Sequence, residues 1–298
     1  MALASFKVKP WLELIRLPNL FSVPGDPLAG MAFAAAGSAL MPGKMVAAIS
    51  ISVLLYMAGL ILNDLMDYQE DLADRPERPL PSGNVSVAAA WLLFVLTTCV
   101  ALGIAWSTGR RATLFMAVIL LIFISLYNLG LKNIRVLGPV SMGLCRGSSV
   151  LLGAAIFGGQ VAFFEPLIYA VYTVIVYIAL LTLVADYETR PGYPAGIIWL
   201  PPVTLFVGLL VVFLSMSEPS NLWLFCAVGA WSVKMNVHVT LNIRKRGRVI
   251  PPDIGGMIGA LMLLQSAFLF IGDAVVAGVV IAALLPFNRL VVRRIYAS

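Results

Sequence analysis

Long apolar runs separated by short polar segments cover most of this 298-residue chain. The runs are about 17–25 residues long, which is the length that an α-helix needs to cross the apolar core of a bilayer. Because backbone polar groups in lipid must bond within their own segment, each run predicts a membrane-spanning helix. The last two runs are short and share a turn at Gly272 and Asp273, so we predict nine or ten spans. The runs cover residues 11–35, 45–62, 86–107, 112–131, 138–158, 166–185, 196–215, 221–241, 254–271 and 274–290.

The amino-acid composition supports the same interpretation. Hydrophobic residues make up 61% of the chain and charged residues 11%, and the mean hydropathy is +0.97. A soluble domain cannot cover that much apolar surface, so we predict an all-α, polytopic transmembrane helical bundle, formed as a single domain by residues 1–298. Cys99, Cys145 and Cys226 lie inside apolar runs and show neither a disulfide framework nor a zinc-binding spacing. The N-terminus lacks the cleavage pattern of a signal peptide, so no removable leader is expected.

The twenty lysines and arginines are distributed unevenly over the two sets of connections between the spans. Fifteen fall on the side that includes residues 63–83 and both termini, three fall on the other side, and Arg146 and Lys234 lie inside spans. Basic residues accumulate on the cytoplasmic side of membrane proteins, so we predict that 63–83 and both termini are cytoplasmic. The net charge of +6 then reflects orientation in the membrane, and nucleic acid is not an expected partner. The fifteen are Lys7, Lys9, Arg16, Arg75, Arg78, Lys132, Arg135, Arg190, Arg244, Lys245, Arg246, Arg248, Arg289, Arg293 and Arg294, and the three are Lys44, Arg110 and Arg111.

The most polar stretch of the chain, NDLMDYQEDLADRPERPLPSG at 63–83, directly follows the second run. On a helix, residues four apart lie on one face, so Asn63, Asp67 and Asp71 are predicted to point the same way. Oxygen-bearing side chains gathered in this manner suit a hard cation such as Mg²⁺, and without one the carboxylates would repel each other. A solvated acidic loop between two membrane helices is the simpler alternative. The six acidic residues are Asp64, Asp67, Glu70, Asp71, Asp74 and Glu77.

Arginines follow these carboxylates at once, at Arg75 and Arg78. Carboxylates hold a metal ion, whereas guanidinium groups form paired hydrogen bonds to phosphate oxygens. The combination predicts a diphosphate site at the mouth of a membrane helix.

The stretch resembles the first aspartate-rich motif of the UbiA superfamily of intramembrane prenyltransferases, NDxxDxxxD followed by RPxPSG, and the chain also resembles that superfamily's EboC-like branch. The resemblance implies two related halves, each with a cytoplasmic polar loop after its second helix, here 63–83 and 186–194. The usual number of spans in the superfamily is nine, so a tenth would be a departure. The matching residues are Asn63, Asp64, Asp67 and Asp71 in the first part and Arg78, Pro79, Pro81, Ser82 and Gly83 in the second.

The second acidic loop matches the superfamily less well. The family form has two aspartates four residues apart; Asp186 occupies the first position as a metal ligand, but Arg190 occupies the second. Glu188 lies two residues on, where an ideal helix would turn it away. Arg190 is predicted either to bind diphosphate in place of a second metal ion or to pair with Asp186 at the surface.

Two further elements carry candidate substrate-binding residues. Tyr127 and Lys132, at the end of the fourth run, resemble the family's YxxxLK-like element, in which the lysine reaches diphosphate; a lysine at this position is otherwise an interfacial anchor. Arg16-Leu17-Pro18-Asn19, which opens the first run, resembles the family's RPxN-like openings, and the resemblance implies that Asn19 lines the substrate cavity. Asp26 is predicted to lie on the same face, with a kink at Pro24 and Gly25. The alternative for these two is an interfacial anchor with a buried polar pair.

Three basic residues lie well inside the later spans, at Arg146, Lys234 and His238. Arg146 is predicted to face the cavity or a partner, either diphosphate or a carboxylate, because an arginine in the apolar core is costly unless it is paired. Lys234 and His238 are four residues apart, which favours a buried polar helix face over a catalytic base.

The resemblance implies a Mg²⁺-dependent transfer of a prenyl group from a polyprenyl diphosphate to an aromatic or hydroxyl acceptor inside the membrane. Asn63, Asp67 and Asp71 would hold Mg²⁺, while Arg78 and Lys132 would stabilise the leaving diphosphate. A non-catalytic isoprenoid carrier or transporter on the same scaffold is the alternative, favoured by the incomplete second motif. Phosphotransfer from nucleotide-activated lipids is disfavoured, because 63–83 lacks a DGxxAR-type pattern. The acceptor and the oligomeric state are left open at this stage.

Overall fold

The computed structural model describes residues 8–158, 165–190 and 192–295, with the backbone alone at 289 and 291–295. These residues form thirteen α-helices and no strand, so the all-α prediction is confirmed. Lys7 lies outside the described residues, and the side chains of Arg289, Arg293 and Arg294 are likewise not described. The helices are α1 (Val8–Leu14), α2 (Leu17–Leu20), α3 (Gly25–Ala35), α4 (Pro42–Met66), α5 (Tyr68–Asp74), α6 (Val87–Ser107), α7 (Arg111–Leu129), α8 (Leu137–Phe157), α9 (Glu165–Ala185), α10 (Leu200–Ser215), α11 (Leu222–Arg246), α12 (Pro251–Ile271) and α13 (Val275–Ile295).

Eight of these helices, α4 and α6 to α12, are long and apolar enough to cross a membrane. The broken segment α1–α3 and the helix α13, which is apolar over Val275–Asn288, account for the remaining apolar runs. The predicted nine or ten spans agree with this arrangement, and the protein is a multi-pass membrane protein.

The first predicted span is interrupted twice. Arg16 lies in the left-handed region, with φ of 44°, between α1 and α2, and a turn at 21–24 separates α2 from α3. The predicted kink at Pro24 and Gly25 therefore falls where α3 begins. The predicted shared helical face of Asn19 and Asp26 is wrong, because the two residues belong to different helices.

The centre of the described bundle is formed by α3, α8 and α12, most of whose residues are buried. Two glycines allow α3 and α8 to touch through their backbones. A Cβ atom on Gly30 would lie 1.8 Å from the Val150 carbonyl oxygen, and one on Gly153 would lie 1.8 Å from the Pro27 carbonyl oxygen. This close contact places Asp26 on α3 beside Arg146 on α8.

The acidic stretch is attached to the end of the bundle by apolar residues. Leu80 and Val85 pack with Leu14 of α1 and with Ile61 and Leu65 of α4 in one buried cluster. The chain between α5 and α6 therefore folds back onto the helices instead of extending into solvent. Its carboxylates and arginines are held over the end of α4.

Candidate active site

The backbone holds Asn63, Asp67 and Asp71 at intervals of one helical turn. α4 ends at Met66, but the amide of Asp67 still bonds the carbonyl of Asn63 at 3.0 Å, and the amide of Asp71 bonds the carbonyl of Asp67 at 2.8 Å. These two bonds link α4 to α5 across a break at Asp67. Asn63 Nδ2 also donates a hydrogen bond to Asp67 Oδ2 at 3.1 Å.

Lys132 joins the acidic face from the turn that follows α7. Its Nζ atom pairs with Asp67 Oδ1 and donates to Asn63 Oδ1 at 3.3 Å. A cationic group therefore lies between two oxygen atoms that the sequence assigns to a metal ion. The chemistry of these oxygens fits Mg²⁺, which prefers carboxylate and carbonyl ligands.

Asp71 is held apart from this pair by arginines. Its side chain is only 3% exposed, and Oδ2 accepts a hydrogen bond from Arg78 Nη1 at 2.6 Å, while Arg75 Nη1 lies 3.8 Å from Oδ1. Within the described residues, no three acidic, histidine or cysteine side chains are gathered as a ready metal site. The predicted common face is thus seen for Asn63 and Asp67, which bond each other, whereas Asp71 belongs to the separate helix α5. Lys132 neutralises the Asp67 carboxylate and Arg78 neutralises that of Asp71.

Arg16 is a further residue at this site, which the sequence analysis used only for orientation. Its Nη2 atom donates to Asp64 Oδ1 at 3.0 Å, and the Asp64 side chain is 8% exposed. A left-handed backbone at a residue with a side chain is uncommon and costly, and such strain is often found at functional sites. The opening of the first run at 16–19 was the available signal for it.

A cavity runs from this cluster into the bundle. Along α4 it extends from Asn63 through Tyr56 to Ser52, about 16 Å at the 1.5 Å rise of an α-helix. Its volume is about 100 Å³, which is below the roughly 300–1,000 Å³ of typical ligand pockets. The other walls come from α3, α7 and α8, with Tyr127 near the mouth.

The inner part of the cavity contains a buried ion pair. Arg146 Nε lies 2.6 Å from Asp26 Oδ2, and Gln265 Nε2 donates to Asp26 Oδ1 at 2.5 Å. Arg146 and Gln265 also donate to the carbonyl oxygen of Ser22, at 2.7 and 2.9 Å, and the Tyr56 ring lies 5.8 Å from the guanidinium. Arg146 therefore faces the cavity with a carboxylate partner, one of the two predicted choices. Two opposite charges inside apolar runs were the sequence signal for this pair.

The second acidic loop lies close to the turn that follows Lys132. There Arg135 Nη2 donates a hydrogen bond to the Tyr187 hydroxyl at 3.5 Å. Arg190 Nη2 bonds Asp186 Oδ2 at 3.2 Å, with side-chain exposures of 49% and 40%. This geometry is the surface pair that the sequence analysis named as the alternative for Arg190, and its diphosphate role stays a prediction.

Replacement of Arg190 distinguishes these two roles. As an exposed pair, Arg190→Ala should cost less than about 1 kcal/mol of stability and leave the affinity for prenyl diphosphate unchanged. If Arg190 instead binds diphosphate, the affinity should fall by about ten- to a hundredfold, the loss of one charge-assisted contact. Titration of the protein in nanodiscs with prenyl diphosphate at several Mg²⁺ concentrations measures the difference. Arg190→Asp restores the family's two aspartates four residues apart. If Arg190 binds diphosphate, this variant should make the affinity for prenyl diphosphate more dependent on Mg²⁺; if Arg190 only pairs with Asp186, it should not.

The remaining predicted residues lie elsewhere. Asn19 is half-buried in α2, where its carbonyl accepts a hydrogen bond from Ser22, and it is not among the residues that line the cavity. Lys234 and His238 are exposed on α11, so the prediction of a buried polar face is wrong. His238 pairs with Asn242 at 3.0 Å on that exposed face.

Comparisons with known proteins place these features in context. The UbiA prenyltransferase family matches residues 27–251. The digeranylgeranylglyceryl phosphate synthase of Methanosarcina mazei is 42% identical over 105 residues, 34% of this chain and 35% of the relative. That of Methanosarcina barkeri is 32% identical over 169 residues, 52% of this chain and 57% of the relative. The chain thus spans about half the length, or less, of these curated relatives.

Solved structures extend the likeness over nearly the whole fold. A UbiA homologue from Archaeoglobus fulgidus has been solved with DMAPP and Mg²⁺ and with GPP and Mg²⁺. The TM-scores are 0.63 and 0.65 at 17% and 16% identity, and the alignments cover 90% of this chain and 99% of the homologue. At this identity, the likeness shows a common fold.

Proposed function

Because the chain belongs to the UbiA prenyltransferase family, we propose that it acts as one membrane domain that transfers a prenyl group from a polyprenyl diphosphate to an acceptor inside the bilayer. The observation that carries this proposal is the joining of two features at one end of α4. Asn63 lines one end of a cavity that continues into the apolar bundle, and the Lys132 ammonium that it contacts also pairs with Asp67. A diphosphate headgroup needs the first feature, and an isoprenoid tail needs the second.

Substrate binding must open the mouth, because the cavity is smaller than a prenyl chain requires. The Lys132–Asp67 and Arg16–Asp64 pairs lie at the Asn63 end of the cavity in the state described here. A diphosphate offers acceptor oxygens to Lys132 and Arg16 and frees the carboxylates that they neutralise. Asn63, Asp67 and Asp71, with Asp186 from the second loop, would then hold Mg²⁺, which neutralises the leaving diphosphate when it is bound.

The chemical step is the ionisation of the prenyl diphosphate. The C1–O bond breaks with its electron pair on the diphosphate oxygen, which leaves an allylic cation in the cavity. Lys132 and Arg78 supply fixed positive charge where negative charge develops, and such groups are most effective in a site from which water is excluded. The buried walls of the cavity also limit capture of the cation by water.

An electron-rich atom of the acceptor then forms the new bond to C1, and the proton that it loses passes to the released diphosphate. The name of the archaeal relatives describes a glyceryl phosphate that carries two geranylgeranyl groups, which supports a hydroxyl group of a prenylated glyceryl phosphate as the first acceptor to test. The ligands of the Archaeoglobus fulgidus homologue support prenyl diphosphates and Mg²⁺ as the donor and the cofactor.

A turnover experiment tests the proposal. The purified protein in nanodiscs would receive labelled DMAPP, GPP or geranylgeranyl diphosphate with Mg²⁺, together with geranylgeranylglyceryl phosphate or an aromatic acceptor. Release of diphosphate with a matching mass gain on one acceptor is the expected result. Tight binding without release would overturn the enzyme proposal and favour the isoprenoid carrier. Comparing lipid extracts of cells with and without the protein then identifies the natural product by mass.

We further propose that residues 63–83 and both termini lie in the cytoplasm, on the basis of the fifteen-to-three asymmetry of basic residues. Single cysteines at Glu70 and Gly109 in a cysteine-free background should behave in opposite ways. A membrane-impermeant maleimide should label position 109 in intact cells and position 70 only after the cells are opened. The reverse pattern would invert the orientation of the whole bundle.

A further inference from the structure

Lys234 lies at the centre of α11 and is exposed. Twelve residues separate it from either end of the helix, which is about 18 Å at 1.5 Å per residue. The cytoplasmic-type end of α11 is marked by Arg244, Lys245 and Arg246 in its last turn. The Lys234 side chain is therefore attached near the middle of the bilayer, on the outer surface of the protein.

No carboxylate of the described chain neutralises this lysine. The helices α10 and α12 pack against α11. Between them they carry one acidic residue, Asp253, at the start of α12, where it pairs with Arg246. Ionisable side chains inside membranes almost always face a cavity or pair with a partner, because an unpaired charge in lipid is costly.

The phosphate of a lipid headgroup is too far away to neutralise the Lys234 ammonium. Half of a bilayer core is about 15 Å thick, which is more than the four-carbon stem of a lysine spans. A second copy of the chain does not supply a carboxylate at this depth either. The ten apolar runs contain two acidic residues, Glu13 and Asp26. Glu13 lies near the start of the first run and pairs with Lys9, and Asp26 is fully buried and paired with Arg146, so neither is available near the bilayer centre.

The surroundings of Lys234 form a continuous face. Trp231, which is 52% exposed, lies nearly one turn before it, and His238, bonded to Asn242, lies one turn after it. A polar stripe thus runs from the bilayer centre towards the basic end of α11, bordered by an aromatic side chain. We call residues Trp231, Lys234, His238 and Asn242 the α11 stripe.

We propose that the α11 stripe binds a transmembrane helix of a different membrane protein, and that this helix carries an Asp or Glu near the bilayer centre opposite Lys234. The carboxylate neutralises the ammonium where solvent is absent, and polar groups one turn further meet His238 and Asn242. The low dielectric of the membrane makes such a pair strongly orienting, so it fixes the depth and the direction of the partner helix. The proposal depends on the membrane fold and not on the proposed catalysis.

A defined probe tests this chemistry in vesicles. The probe is a dye-labelled 23-residue Leu/Ala transmembrane peptide with one central Glu, compared with otherwise identical peptides carrying Gln or Leu. Energy transfer would be read from a donor on a cysteine introduced at Ser220 in a cysteine-free background. We expect the Glu peptide to associate with the protein at least tenfold more tightly than the Leu peptide does. Lys234→Met should abolish that preference, whereas Lys234→Arg should keep it.

Matched controls separate the other occupants. Lys245→Met removes a charge from the end of the same helix and should leave the preference intact. Equal binding of the Glu peptide to the parent and to Lys234→Met would overturn the proposal. A preference that disappears when anionic lipid is added would assign the stripe to lipid, and Lys234-dependent energy transfer between two copies of the protein would assign it to a dimer; either result also overturns the proposal.

A photo-crosslinking amino acid at Trp231 then tests the native membrane, with Phe206 on α10 as the control position. The expected adduct is a protein with an intramembrane Asp or Glu. It should be lost in Lys234→Glu and regained when that carboxylate is changed to Lys. Failure of this charge exchange to restore the adduct would contradict the pairing. Prenyl transfer in the vesicles should be unchanged in Lys234→Met, which keeps this outcome separate from that of the proposed function.

Discussion

Asp67→Ala is expected to reduce prenyl transfer by about a hundredfold or more, the range found when one preorganised electrostatic group of an active site is removed. Asp67 is the carboxylate that contacts both Asn63 and Lys132 at the cavity mouth, so its loss removes a metal ligand and frees the lysine. The residue is about one quarter exposed and lies beyond the end of α4, so the fold should be retained. Diphosphate release at saturating Mg²⁺, with the melting temperature in detergent as the measure of folding, checks this result.

Asp74→Ala is the matched control, because Asp74 belongs to the same acidic stretch, 63–83, but is exposed at the end of α5. It should keep activity within about twofold, as expected for a surface change away from the chemistry. Asp71→Ala should also lose activity, but with a change in stability as well, since Arg78 would lose its buried partner. Full turnover by both Asp67→Ala and Asp71→Ala would refute the assignment of Mg²⁺ to this face.

Arg146→Met is expected to destabilise the protein by about 3–5 kcal/mol, the cost of leaving one member of a buried ion pair without its partner. Asp26 is fully buried, and its remaining contact would be the amide of Gln265. The double variant Arg146→Met with Asp26→Asn removes both charges and keeps an acceptor for Gln265, so it should recover most of the loss. Reversible unfolding in mixed micelles with increasing SDS measures the free energy of unfolding.

Arg111→Met is the control for the removal of a positive charge, because Arg111 is exposed at the start of α7. It should change the free energy of unfolding by less than about 0.5 kcal/mol. A cost below about 1 kcal/mol for Arg146→Met would mean that the pair contributes little to the fold. A double variant no more stable than the single one would show that the residues act independently.

The sequence predicted the features that depend on local spacing. Apolar length located the eight long spans, and the four-residue interval placed Asn63 and Asp67 one turn apart, where their side chains bond each other. The meeting of Asp26 and Arg146 was not predictable from spacing. It depends on the backbone contact of α3 with α8, between residues 120 positions apart.

Lys234 illustrates a second limit. Lipid tails are as apolar as a protein core, so a membrane helix carries no clear hydrophobic stripe that distinguishes its inner face from its outer one. Spacing placed Lys234 and His238 on one side of α11 correctly but could not show that the side faces outwards. Likewise, the pattern Arg16-Leu17-Pro18-Asn19 marked a break without showing that Arg16, rather than Asn19, turns to the cavity.

The glycine contacts between α3 and α8 determine which wall of the cavity is able to move. Because their backbones touch at Gly30 and Gly153, these two helices have little room to move relative to each other. The opposite wall, formed by α4 and α7, is held by side-chain contacts. There the side chains of Ile124 and Asn128 on α7 contact Gly59 on α4, through a van der Waals contact and a hydrogen bond of 3.3 Å. On the proposed function, an isoprenoid tail would therefore be admitted by movement of α4 and α7 away from α3 and α8.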